Sequence, residues 1–474
     1  MNKYKQICQR TARRVIYMAV VVMMTACGGY GGGSSMPPAT VSVSVQPTSI
    51  TLGQSATLSW STNGSTCTAS GAWSGTKGAS GTQSVTPTAV GTYTYTLVCS
   101  GGAYGGSTSQ SATLTVTAAM AAMVAKMKAA MIGGVNSTAD ADNVLIADQF
   151  NNRVLEIQRS THKVVWQFGD GSDKPGPHSI VGVNDAERFG PFTLLSGTGT
   201  PASNPPLPGC SDPINGCPDN RVFIVDESGD IIWQYGQAGV AGADFDQLNT
   251  PVHALFMSGF PQQPRDFYIM ITDQGNQRII VVNLEHEIVW QYGLTGVAGM
   301  GPNQLSNPNS AELLENGHIL IADESNNRVI EVTTDHQVVK KFTAGGTVNG
   351  AAFASRLPGG NTLITDSNNN RAVEVNPSDV VVWQYVTNTQ SGSNPNPLPT
   401  RAIRLANGDT LISDQFNNRV IEVTHGKQIV FQQGKLNVPG NGFNQLNGPY
   451  DAKAIGDFTG LTPPFDFDGD ADDR

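Results

Sequence analysis

Apolar and polar residues alternate with a period of two along most of the chain, the spacing of half-buried antiparallel strands. Over residues 39–117 the apolar positions run Val41, Val43, Val45, then Ala56, Leu58, Trp60, then Tyr93, Tyr95, Leu97, Cys99, then Leu114 and Val116. Gly, Asn and Pro separate the runs, so the pattern predicts a small β-sandwich. Residues 118–139 break the alternation. There Met120, Met123, Met127 and Met131 fall on one face of an Ala-rich segment, which predicts a linking helix that docks on its neighbour. The period of two then returns over 140–458, organised in a repeat.

The repeat is carried by Ile146-Ala147-Asp148-Gln149-Phe150-Asn151-Asn152-Arg153 and its later copies. In five of them an Asp precedes an Arg by five positions: Asp148 and Arg153, Asp273 and Arg278, Asp323 and Arg328, Asp366 and Arg371, Asp414 and Arg419. A sixth copy is read at Ile224-Val225-Asp226, which keeps the Asp without the Asn-Asn-Arg. The long first gap is assigned to an insertion over 199–220. Each unit reads as about four strands, the last exemplified by Val289-Trp290-Gln291-Tyr292. Units of roughly 45 residues built this way stack as blades, predicting an all-β chain in which the sandwich precedes a six-bladed β-propeller. The first unit lacks an inner strand and Pro449 to Ile455 supplies one with no blade behind it. The C-terminal strand is therefore expected to complete the first blade.

Several elements resemble the NHL repeat: Asn303-Gln304-Leu305-Ser306-Asn307-Pro308, Asn316-Gly317-His318-Ile319-Leu320-Ile321-Ala322-Asp323, and Asn444-Gln445-Leu446-Asn447-Gly448-Pro449. The resemblance spans about 140–458 and implies fold far more than activity. The Trp-Gln-Tyr-Gly strands also resemble quinoprotein-type propeller repeats. Ile50 to Trp60 resembles the start of bacterial Ig-like modules, which serve as spacers or adhesive units. Cys67 follows the Trp here, whereas in antibody domains a Cys precedes it, which leaves the inter-sheet position of a bridge open. Adhesion through an exposed Trp73 is a further, minor reading.

Residues 1–26 hold Lys3, Lys5, Arg10, Arg13 and Arg14 and then an apolar run too short to span a membrane, which predicts a signal peptide. Met24-Thr25-Ala26-Cys27 resembles the bacterial lipobox, with Met24 where the family prefers Leu. The resemblance implies acylation of Cys27, a membrane partner through that anchor, and, with Gly28 next, the outer membrane. Glycine-rich residues 27–38 read as a tether. Removing five of the 28 basic residues leaves 23 against 38 acidic, so the stated charge of −10 becomes about −15. With no block of Lys or Arg, a nucleic-acid partner is excluded. Export also suits Cys67, Cys99, Cys210 and Cys217, whose even number and proximity predict Cys67–Cys99 and Cys210–Cys217 bridges in preference to a metal site.

Candidate chemistry is sparse. The repeated Asp and Arg are read as structural, each carboxylate fixing an Arg and turn amides. Functional residues should occupy equivalent places and differ between blades. Aligning inner strands on an Ala selects His253, Ser310, Phe353, Arg401 and Asp451 around one mouth of the channel, suited to a small polar ligand, a peptide or an envelope protein; the second blade aligns ambiguously. No cofactor motif or metal pair of His is present. The acidic tail, 459–474, resembles a calcium loop in part but is read as solvated. The expected function is a binding module, with an envelope enzyme, a metal-dependent lyase or quinoprotein-like oxidoreductase, as its rival.

Overall fold

The computed structural model describes residues 40–52, 54–64, 66–100, 107–117, 142–260 and 267–464. The signal, Cys27, the tether, the Met-striped segment and residues 465–474 lie outside them. The chain divides between Val116 and Thr117 into two compact units.

In the first unit a three-stranded and a five-stranded antiparallel sheet enclose one core that includes Leu58, Trp73, Tyr95, Leu97 and Leu114. Alternation explains the packing: in Gly91–Ser100, Tyr95, Leu97 and Cys99 point inward while Val98 faces solvent. Cys67 and Cys99 are directly paired on neighbouring strands and bridged, with Cα atoms 4.1 Å apart, so the disulfide lies within one sheet. Trp73, expected at the surface, is only 6% exposed. Its indole donates to the Thr96 carbonyl at 3.0 Å and its ring meets Trp60 edge-on at 5.4 Å, so it cannot serve as an exposed adhesive ring.

The second unit contains six four-stranded antiparallel sheets, and each inner strand neighbours the next until the ring closes. This is a six-bladed propeller. From blade 1 to blade 6 the inner strands are Pro449–Ala454, Val183–Phe189, Pro251–Ser258, Pro308–Leu313, Ala351–Arg356 and Arg401–Arg404. Blade 1 is finished by the C-terminal strand, which pairs with Asn143–Asp148. Apolar side chains on both faces of the second and third strands, such as Ile269 and Val282 on one face and Met270 and Val281 on the other, fill the spaces between blades and are buried.

Blade 2 departs from the expected alignment. Ile224 and Val225 belong to its third strand, Cys217–Val225, and Asp226 sits in the following turn. The true counterpart of the repeated set is Asp219-Asn220-Arg221: Arg221 donates to both Asp219 oxygens, and Asn220 takes the left-handed conformation its equivalents adopt. The sequence misled because the insertion splits this copy between the second and third strands, placing Asp219 beyond it. Cys210 and Cys217 close the insertion with a disulfide, Cα atoms 5.6 Å apart.

Candidate functional site

The repeated residues account for one end of the ring, here termed the upper face. Arg Nε to Asp Oδ2 distances are 2.8 Å for Arg153–Asp148, 2.8 Å for Arg278–Asp273, 2.6 Å for Arg328–Asp323, 2.6 Å for Arg371–Asp366 and 2.8 Å for Arg419–Asp414. The same Asp accepts from the first turn Asn, as Asp323 does from Asn326 at 2.8 Å, and from the backbone before the inner strand, as it does from Ser306 N–H at 2.7 Å. The second Asn is left-handed and accepts from the next blade: Gly350 N–H donates to Asn327 at 2.8 Å and Gly448 N–H to Asn418 at 3.0 Å. The set therefore holds turns and neighbours together, with Arg278 Nη2, Arg419 Nη2 and Asp414 Oδ1 left buried without partners.

The outer strands are explained in the same way. Trp233, Trp290 and Trp383 each donate an indole hydrogen bond to a turn carbonyl of the following blade, at 3.1, 2.9 and 2.8 Å. Four of the seven histidines, His162, His286, His336 and His425, pack against the aromatic residues of the preceding blade's outer strand. On the opposite face, toward the lower end, Arg188, Arg356 and Arg404 pair across blades with Glu156, Glu331 and Glu374 at 3.0, 2.9 and 2.8 Å. Sequence reasoning missed these pairs, although an Arg three residues past the axial position of each of these inner strands was their signal.

The structure brings His253, Ser310, Phe353, Arg401 and Asp451 together around the axis and adds Asp185 from blade 2 as the sixth member. They do not form an open mouth: all six are at most 2% exposed. Arg401 donates to Asp451 at 3.0 Å and across the axis to Asp185 at 3.2 Å, and its guanidinium lies 4.4 Å over the Phe353 ring. Lys453 reaches Asp185 at 2.7 Å and Asp451 at 2.9 Å. Three members also stitch consecutive blades. Ala186 N–H donates to Asp451, Ala254 N–H to Asp185, and Ala311 N–H to His253 Nδ1, at 3.3, 3.1 and 3.4 Å. An inner strand leaves its axial N–H groups without a ladder partner, and these side chains satisfy them.

Charge is uneven within this axial cluster. Burial drives the His253 imidazole well below its ordinary pKa, with Arg401 and Lys453 adding to the effect. It is neutral, which its role as a hydrogen-bond acceptor requires. Burial raises Glu187 well above the carboxylate range, and raises Glu312 to about 7 against two hydrogen bonds from Thr462. Burial alone would lower the Lys453 ammonium; Asp185 and Asp451 more than reverse this and raise it. Arg401 Nη1 and the Ser310 and Ser355 hydroxyls are buried without partners. Among the described residues no three His, Cys, Asp or Glu side chains converge as a metal site.

Above the cluster, Tyr450 of blade 1 and Asn309 of blade 4 hydrogen-bond across the axis at 2.9 Å. Asn309 also donates to Glu324 at 2.8 Å, and Glu324 accepts from Gln274 at 3.4 Å. Gln415 donates to Gln149, and Gln149 to Asn184, at 2.8 and 2.7 Å. These groups come from the first turn position, which is Gln in three blades and Glu324 or Ser367 in two others, and from a bulged inner-strand position that varies, as Asn184, Asn309 and Tyr450 show. Gln274, Glu324 and Tyr450 are partly exposed. They form a polar rim whose floor is the Tyr450–Asn309 crossbar.

No protein-family model matches the sequence, and no curated protein matches it. Among solved structures, a protein of unknown function from Bacteroides caccae is 14% identical, covering 61% of this chain and 92% of that one, with a TM-score of 0.39. Virginiamycin B lyase from Staphylococcus aureus is 13% identical, covering 64% and 87%, with a TM-score of 0.37. Dihydro-heme d1 dehydrogenase NirN in complex with DHE is 9% identical, covering 67% and 76%, with a TM-score of 0.36. The fold assignment rests on the strand pairing above, and these likenesses carry no activity across to the chain.

Proposed function

We propose that this is a lipid-anchored envelope protein in which an Ig-like spacer precedes an NHL-type propeller, and that the propeller acts as a binding module. Its ligand, an envelope protein, peptide or small polar molecule, is taken at the polar rim by Gln274, Glu324 and Tyr450. Beneath the Tyr450–Asn309 floor, His253, Ser310, Phe353, Arg401 and Asp451 form a buried support. One observation carries this reading: the Asp-Asn-Arg set is nearly constant and engaged in holding turns, whereas Glu324 and Tyr450 are particular to their blades and, with Gln274, are partly exposed. The anchor rests on Met24-Thr25-Ala26-Cys27.

The test isolates the protein from its host with crosslinked partners, then measures binding of the captured component to purified variants. Glu324→Ala and Tyr450→Ala should each weaken binding at least tenfold; unchanged affinity in both overturns the rim site. Palmitate incorporation should vanish in Cys27→Ser, and its persistence would overturn the anchor. The enzyme reading has one observation in its favour, a Glu312 carboxyl poised near neutrality 3.7 Å from the His253 ring. Turnover of the captured component that is lost in Glu312→Gln would replace the binding module with it.

A further inference from the structure

Residues 455–464 leave blade 1 and run over the lower end of the axial cluster. Expected in part as a solvated tail, they are anchored to three other blades. Ala406 of blade 6 donates its N–H to Asp457 at 2.8 Å, and Gly460 lies against the Arg356 carbonyl of blade 5. In blade 4, Leu313 N–H donates to the Thr462 hydroxyl at 2.8 Å, while Thr462 donates N–H and O–H to one Glu312 oxygen at 2.8 and 2.6 Å. Thr462 is 5% exposed and Pro464 is buried. The partly open space lined in part by Glu187, Lys453, Phe458 and Leu461 is about 10 Å3, room for roughly one water.

The strap therefore seals in a cluster whose charges do not balance. Four carboxyl groups, Asp185, Glu187, Glu312 and Asp451, share two cations, Arg401 and Lys453, because His253 is neutral. Facing Glu312 are His253 from blade 3, Lys453 from blade 1, Glu187 from blade 2, Arg401 from blade 6 and Thr462 of the strap itself. With both glutamates ionised, closure buries two negative charges lacking a counter-charge, which is costly in a low dielectric. With them protonated, closure buries a neutral set that remains hydrogen-bonded.

We propose that residues 455–464 are a proton-operated latch, closed over the axial cluster while Glu312 is protonated and released when it ionises. This is independent of what binds at the upper rim. The closed state holds the Glu312 proton more tightly than the open, hydrated state, so closure is favoured at low pH and weakens as pH rises between the two pKa values. The closing equilibrium falls by at most roughly 70-fold between pH 5 and pH 8, the limit set by a return of Glu312 from about 7 to its ordinary value of 4.5 on opening.

Amide hydrogen exchange on the full chain, corrected for intrinsic rates, tests this. Protection of the Thr462 amide should drop at least tenfold, and at most roughly 70-fold, from pH 5 to pH 8, while amides of Asn143–Asp148 keep theirs. In Glu312→Gln the drop should shrink below threefold. Thr462→Val, which leaves the cluster intact, should expose the strap already at pH 5. Equal protection at both pH values in the parent chain, an undiminished drop in Glu312→Gln, or loss of protection in strap and blade together would each overturn the latch.

Discussion

Gly197 faces Arg221 across the sheet at the position where the other blades carry their aspartate, and the Asp219 carboxylate fills the room its absent side chain leaves. A Cβ on Gly197 would stand 2.6 Å from Asp219 Cγ. Blade 2 thus restores the acid–Arg contact within one strand, Cys217–Val225, while Gly197 on the neighbouring strand leaves the room for it.

Gly197→Ala should accordingly cost about 1–3 kcal/mol through overpacking. Asp219→Asn should cost about 3–5 kcal/mol, since Arg221, 2% exposed, would keep a buried charge with no carboxylate. Urea denaturation of both variants checks the order, and a smaller loss in Asp219→Asn than in Gly197→Ala would contradict it.

The left-handed Asn327 separates two contributions. Asn327→Gly keeps the backbone conformation and loses only the acceptor for Gly350, for an expected cost of about 1 kcal/mol. Asn327→Ala loses both, for about 2 kcal/mol. Equal melting temperatures for the two variants would show that conformation contributes nothing there.

His253 should stay neutral well into acid. Its folded pKa lies below its unfolded value near 6.5, so its contribution to stability is complete above about 6.5 and is lost as pH falls toward the folded value. Nitrogen-15 NMR of the ring at pH 5.5 should show a neutral imidazole, with Nδ1 as acceptor. An imidazolium signal at that pH would refute the axial geometry.

Deleting residues 448–474 should abolish cooperative unfolding of the propeller, because blade 1 loses its inner strand and blade 6 its neighbour. A melting curve like that of the full chain would show the ring to be closed by other means.

Most of the fold was legible because it is periodic. Alternation marked the strands, and five Asp–Arg pairs of equal spacing marked five of the blades. Blade 2 was not legible, since its insertion moved Asp219 to the far side of a loop and left Ile224-Val225-Asp226 as a decoy. The axial positions were found by aligning His253, Ser310, Phe353, Arg401 and Asp451, yet their closure was hidden. It depends on Asp185 and Lys453 meeting them from blades 2 and 1 and on Tyr450 reaching Asn309 in the opposite blade, and contacts between different blades leave no spacing to read. Residues 459–464 were misplaced for a related reason: one threonine anchors them, and a lone Thr462 carries no pattern.

The pairing of Asn143–Asp148 with Pro449–Ala454 has a kinetic consequence. Asn447 N–H donates to Asp148 across 299 positions of sequence, so the first blade cannot be finished until nearly the whole chain is available. Contacts so distant make closure a late and slow event. Until then the strand beginning at Asn143 offers an unpaired, apolar edge to any other strand it meets. A chain interrupted before its last 25 or so residues is thus an aggregation hazard, and the completed ring removes that hazard.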